Sequence, residues 1–151
     1  MPYATFSSPV NASFETVWGM LLDKIENPQR YITAVEETKV LQRYDNGILR
    51  EMRIPGMQLK ERITVTEEAR EIKFTLVEHP LFSGEIINKV EFPSQEDSGE
   101  SLILTFTQNW QPLNEEAENL KEAKMQETIK NAVLHMKELA EERDSHSRII
   151  G

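Results

Sequence analysis

The sequence predicts an α+β domain: a curved antiparallel sheet of about seven strands wrapped around a long C-terminal helix, with two short helices near the N-terminus. Three observations carry this. Apolar residues alternate with polar ones from Glu37 to Trp110, the period of half-buried strands. Short turn signals punctuate that stretch too closely for parallel crossovers. From about Glu115 to Arg143 the apolar period lengthens to that of a helix.

Taken in order, Tyr3–Ser8 reads as a short strand. Phe14, Val17, Trp18, Leu21, Leu22 and Ile25 follow at helical spacing, with Asn11 or Ser13 as N-cap. Asn27-Pro28 places a capping residue before a proline suited to a first helical position, which predicts a second short helix to about Ile32. Six strands are then expected at Thr38–Tyr44, Ile48–Ile54, Leu59–Thr66, Ile72–Glu78, Glu85–Phe92 and Leu102–Trp110. Between them stand Asp45–Gly47, Pro55–Met57, Glu67–Glu71, His79–Gly84 and Pro93–Glu100, all with turn-forming composition. Asn114 is the expected cap of the last helix, whose main stripe is Met125, Ile129, Ala132, Val133, Met136, Leu139 and Ala140. Ala117, Leu120 and Ala123 fall on another face, so its first turns are expected to bend or to form a separate segment.

Composition narrows the function classes. The 151 residues suit one domain, with 143–151 expected as a frayed tail. The 26 acids against 17 bases give a formal charge of −9, which would repel phosphate backbones, so no nucleic-acid partner is expected. Apolar runs such as Val17–Leu22 are too short to cross a bilayer, so no membrane insertion is expected. Met1–Thr5 carries no signal-peptide pattern. There is no cysteine, which removes disulfides and thiolate chemistry. The expected location is the cytoplasm, and homodimerisation is left open.

The order strand, two helices, six-strand meander, long helix resembles the helix-grip fold of the START-like (SRPBCC) superfamily. The likeness rests on Pro9-Val10-Asn11-Ala12-Ser13-Phe14-Glu15-Thr16-Val17-Trp18, a first strand running into a capped helix, and on Asn27-Pro28-Gln29-Arg30-Tyr31 at the second helix. Within that superfamily the chain is most similar to the AtaL-like branch. The resemblance implies a hydrophobic cavity between sheet and helix for lipids, polyketides or other apolar metabolites. It also implies carrier, cyclase or aromatase roles among relatives. It brings no universal catalytic motif, so it assigns no catalytic residue.

Pairing by turn length puts Ile54 opposite Leu59, Arg50 opposite Ile63, Leu59 opposite Glu78, and Glu61 opposite Leu76. Register is strongly specified where one face is buried, and the resulting concave face carries the candidate ligand-binding residues. These are Arg50, Met52, Glu61, Ile63, Phe74, Leu76, Glu78, Asn88, Phe106 and Gln108, with Met125, Ile129 and Met136 from the helix. Five of them are polar: Arg50, Glu61, Glu78, Asn88 and Gln108. They read either as groups that orient a ligand hydroxyl or carbonyl, or as an internal ion pair and hydrated edge residues with no ligand role. Met57, Leu81, Phe82 and Leu120 gather at one end of the meander and are expected to form the pocket mouth. The alternative is that they plug the core.

The three histidines, His79, His135 and His146, form no metal-ligand spacing, and neither a metal nor a cofactor is expected. Asp144-Ser145-His146 offers triad residue types on an expected tail without a rigid frame. Glu61 and Glu78 would suit acid–base work if burial raised one pKa. The sequence thus supports binding of a small hydrophobic molecule. Its alternatives are a cyclase/aromatase-like enzyme using Glu61 or Glu78 in the same cavity, and a protein-interaction module acting through the apolar loop tips.

Overall fold

A computed structural model describes residues 3–93, 101–119 and 122–150, and only the backbone of 122 and 147–150. The turn read at Pro93–Glu100 lies outside these residues beyond Pro93, as does Leu120.

Strand β1 (Tyr3–Val10) leads into helix α1 (Phe14–Glu26), and a single 3-10 turn follows at Pro28–Arg30. Then come β2 (Glu37–Tyr44), β3 (Gly47–Ile54), β4 (Met57–Thr66), β5 (Glu71–Glu78), β6 (Phe82–Glu91) and β7 (Leu102–Pro112). The chain closes with α2 (Glu115–Glu118) and α3 (Glu122–Ile150). All pairings are antiparallel, in the order β1-β7-β6-β5-β4-β3-β2.

Local chemistry accounts for the boundaries. Ser13 is the α1 cap: its Oγ accepts the Thr16 amide at 3.1 Å, filling one donor orphaned at the helix start. Asn114 does the same for α2, accepting from Ala117 N at 2.9 Å. The β3–β4 hairpin turns on Pro55 and Gly56, and Gly56 has φ of 74°. Proline followed by a positive-φ glycine is the combination that a type II turn requires.

Two residues separate Ile54 from its partner where the expected pairing left four, so the β3–β4 register moves by two. Ile54 pairs with Met57, Met52 with Leu59, and Arg50 with Glu61. A shift of two keeps every side chain on its own face. A bulge between β4 and β5 does change faces: Glu61 still pairs with Leu76, but Lys60 rather than Leu59 pairs with Glu78. The extra residue is Val77, and beyond it Glu78 turns outward.

Helix α1 fills only one half of the concave face. There Val17, Met20 and Leu21 meet Ile48, Ile63, Ile72, Val90 and Leu104 in one apolar cluster with Val133, Met136 and Ala140 of α3. This half is closed.

Helix α3 runs on to Ile150, through the segment where a frayed tail was expected. Asp144 accepts the Ser13 amide at 2.6 Å and the Thr16 hydroxyl, while Glu141 accepts the Asn11 amide at 2.7 Å. Carboxylates at a helix N-terminus meet its unpaired N–H groups and the positive end of its dipole. Asp144 is therefore a clamp on α1, and not a member of a loose triad.

Candidate functional site

The other half of the concave face lies beyond the last turn of α1, and it holds a cavity of about 620 Å³. Its wall is mostly apolar: Met52 and Ile54 of β3, Leu59 of β4, Phe74 and Leu76 of β5, Ile86 of β6, Phe106 and Trp110 of β7, and Ile129 and Ala132 of α3. Lys24, Arg50, Glu61, Asn88 and Gln108 supply the polar groups.

Arg50 and Glu61 sit directly across β3 and β4 and form a buried ion pair, Nη2 to Oε1 at 2.6 Å. The guanidinium also donates through Nη1 to the carbonyls of Ile25 at 2.8 Å and Lys24 at 3.2 Å, the exposed end of the α1 hydrogen-bond ladder. Lys24 enters from α1 and donates to Asn88 Oδ1 at 2.6 Å. Its ammonium group lies 4.3 Å from the Phe106 ring centre and 5.2 Å from that of Phe74, an arrangement favourable to a cation. Burial nonetheless pushes the Lys24 pKa down to about 7, with the nearby Arg50 charge acting in the same direction and Glu61 opposing both. Gln108 donates to Met125 Sδ at 3.4 Å.

Among the lining residues, Ile32, Thr33 and Ala34 of the segment 31–35 and Thr128, Asn131 and His135 of α3 are exposed to solvent and make up the cavity's rim. Asp23 anchors this rim. It accepts from Tyr31 Oη at 2.7 Å, Asn27 Nδ2 at 2.9 Å and Arg30 Nη1 at 3.0 Å. These bonds, the Tyr31 one foremost, hold its pKa below the usual carboxylate value. Further on, Glu36 N donates to Arg53 O at 2.8 Å and Val35 packs with Met52 and Leu59, fixing the segment to the sheet.

Of the residues singled out from the sequence, Arg50, Met52, Glu61, Phe74, Leu76, Asn88, Phe106, Gln108 and Ile129 line the cavity. Four do not. Ile63 and Met136 are packed into the closed half, Met125 is half-buried beside Gln108, and Glu78 is exposed and paired with Lys60 at 3.5 Å. The bulge therefore removes Glu78 from the inner polar set and rules out its acid–base partnership with Glu61 there.

Of the residues expected at the mouth, the described ones, Met57, Leu81 and Phe82, do not line this cavity. Phe82 is buried and packs against Trp110 at 5.0 Å, with His79 5.3 Å from Trp110. His79 Nδ1 accepts the Leu81 and Phe82 amides at 3.0 and 3.2 Å, and burial lowers the His79 pKa. The three rings pack together beside the cavity, whose wall Trp110 joins. Met57 and Phe82 line instead a second, more open depression, and Leu81 lines neither.

Sequence reasoning missed Lys24 and the rim. A signal for Lys24 existed: it stands seven residues after Val17 and three after Leu21, on the buried stripe of α1. The segment 31–35 has no periodicity to read.

A long α-helix gripped by a seven-strand antiparallel sheet, with a cavity between them, is the helix-grip architecture of START-like proteins. The chain belongs to the AtaL family, described as acetylaranotin biosynthesis cluster protein L, whose sequence model matches residues 5–143. Solved structures similar to it include TTHA0849 from Thermus thermophilus, at 18% identity and TM-score 0.72, covering 91% of this chain and 95% of that one. A START superfamily protein from Mycobacterium smegmatis has 15% identity and TM-score 0.62, over 95% and 97%. The Zhui aromatase/cyclase from Streptomyces sp. R1128 has 16% identity and TM-score 0.59, over 97% and 87%. At these identities the likeness is one of fold. No curated protein matches the chain. No helix among the described residues is long and apolar enough to cross a membrane.

Proposed function

We propose that this chain binds one small apolar molecule, of lipid, polyketide or aromatic type, in the cavity between the sheet and α3. The observation that carries this reading is the cavity itself: about 620 Å³, apolar over most of its wall, with a few polar groups gathered at one side. That size and composition suit a drug-sized organic ligand. The solvent-facing rim between 31–35 and α3 supplies a route in. A cyclase-like reaction is less well supported, because Glu61 is held by Arg50 and Glu78 lies outside. Docking through the loop tips is weakened by the burial of Phe82.

The test is native mass spectrometry of protein purified from its host, combined with titration of a hydrophobic probe followed through Trp110 fluorescence, with Trp110→Phe as control. Filling the cavity with Ile129→Trp should abolish probe binding while far-UV circular dichroism is unchanged. Probe affinity that survives this substitution would place binding elsewhere and sink the reading.

A further inference from the structure

The polar side of the cavity is unbalanced in charge. Arg50 and Glu61 neutralise one another across 2.6 Å. Lys24 is a second cation on the same wall, and among the described residues no carboxylate lies within salt-bridge distance of it; its one hydrogen bond goes to the neutral Asn88. A buried ammonium without a counter-charge is costly. An apolar side chain at this position would avoid that cost.

The unfilled hydrogen-bonding capacity has the same sign. Asn88 Nδ2, Trp110 Nε1 and Arg50 Nε are buried with no partner within the protein. All three belong to cavity-lining side chains, and all three are donors. The charge this wall leaves unmatched is the Lys24 ammonium, so a complementary ligand brings one negative charge.

Resting on the small-molecule reading above, we propose that the ligand is an apolar monocarboxylate, its carboxylate seated at Lys24 and Asn88 and its body against Phe74, Leu76, Phe106 and Ile129. Charge-assisted hydrogen bonds from an enclosed ammonium are the stronger kind, and they are strongest where water is excluded. Because Lys24 is held at about 7 in the free protein, an arriving anion draws a proton onto it, so binding weakens as pH rises. The other ionisable groups on the cavity wall are Arg50 on β3, Glu61 on β4, His135 on α3 and Tyr31 at the rim; β5, β6 and β7 present only neutral side chains there.

Calorimetry with decanoate and 1-naphthylacetate, each beside the alcohol of the same skeleton, tests this. At pH 6.5 each acid should bind at least about tenfold more tightly than its alcohol. The ratio should shrink by pH 9, and runs in two buffers of different ionisation enthalpy should report proton uptake. In Lys24→Met, and in Lys24→Gln should the first fold poorly, the ratio should fall to about one. Alcohols that match their acids, or a ratio retained in both variants, overturn the carboxylate inference and leave the binding reading standing. If none of the four compounds binds, the binding reading itself fails and this inference fails with it.

Discussion

Arg50 and Glu61 face each other directly across β3 and β4, Nη2 2.6 Å from Oε1, with side chains only 3% and 7% exposed. Breaking such a pair from one side leaves an uncompensated buried charge. Arg50→Ala should therefore destabilise the protein by roughly 3–5 kcal/mol, read from urea unfolding midpoints. The double variant Arg50→Met with Glu61→Leu should recover much of that loss. An unchanged midpoint in Arg50→Ala would mean that water already solvates the pair.

Lys24 makes stability depend on pH. Its pKa falls from 10.5 to about 7 on folding, so between those values the unfolded chain binds more protons and stability rises with pH. Below about pH 7 both states carry the charge, and the folded protein bears the full penalty, on the order of 5 kcal/mol. Lys24→Met lacks this term. Its stability advantage over the wild type should narrow by roughly 1.4 kcal/mol per pH unit from 7 to 10, measured by urea unfolding at each pH. An advantage that is constant with pH would refute it.

Asp144 joins the end of α3 to the start of α1 through the Ser13 amide and the Thr16 hydroxyl. Asp144→Ala should cost about 1.5–3 kcal/mol, the range for hydrogen bonds to a charged group. Amide exchange should accelerate at Ser13 and Thr16 before it does in the sheet. Unchanged protection there would show that the clamp carries no weight.

Entry should be governed by the rim. Ala34→Phe narrows the gap between 31–35 and α3, and it should slow both uptake and release of a hydrophobic probe in stopped-flow traces. Phe82→Ala should instead cost roughly 3–5 kcal/mol of stability, as expected for a buried ring, because Phe82 packs on Trp110 and His79. If the rates respond to Phe82 and ignore Ala34, the route has been misplaced.

The sheet was legible because its signals are local and repeated. Alternation placed the strands, and Asp45-Asn46 and Pro55-Gly56 placed two of the turns. Even where the β3–β4 register moved by two, parity kept Arg50, Met52 and Glu61 on the inner face. What failed was not periodic. One extra residue, Val77, turned Glu78 outward. Asp144 meets a helix start far away in sequence, a contact that no local pattern signals. Lys24 is passed over when the α1 stripe is read from its apolar members alone, although its spacing from Val17 and Leu21 places it on the same face.

Strand β1 lies at the sheet edge against β7, with Tyr3 opposite Asn109 and Val10 opposite Leu102. Within this sheet, the first strand to be synthesised is thus paired with the last. At about 5–20 residues per second, synthesis separates the two by roughly 5–20 s. During that interval β1 has no partner, and the core that takes in Ala4, Phe6 and Val10 cannot close. Non-local pairing of this kind slows folding and lengthens the exposure of strand edges. The nascent chain therefore depends more than a helical bundle would on protection from aggregation until β7 and α3 have emerged.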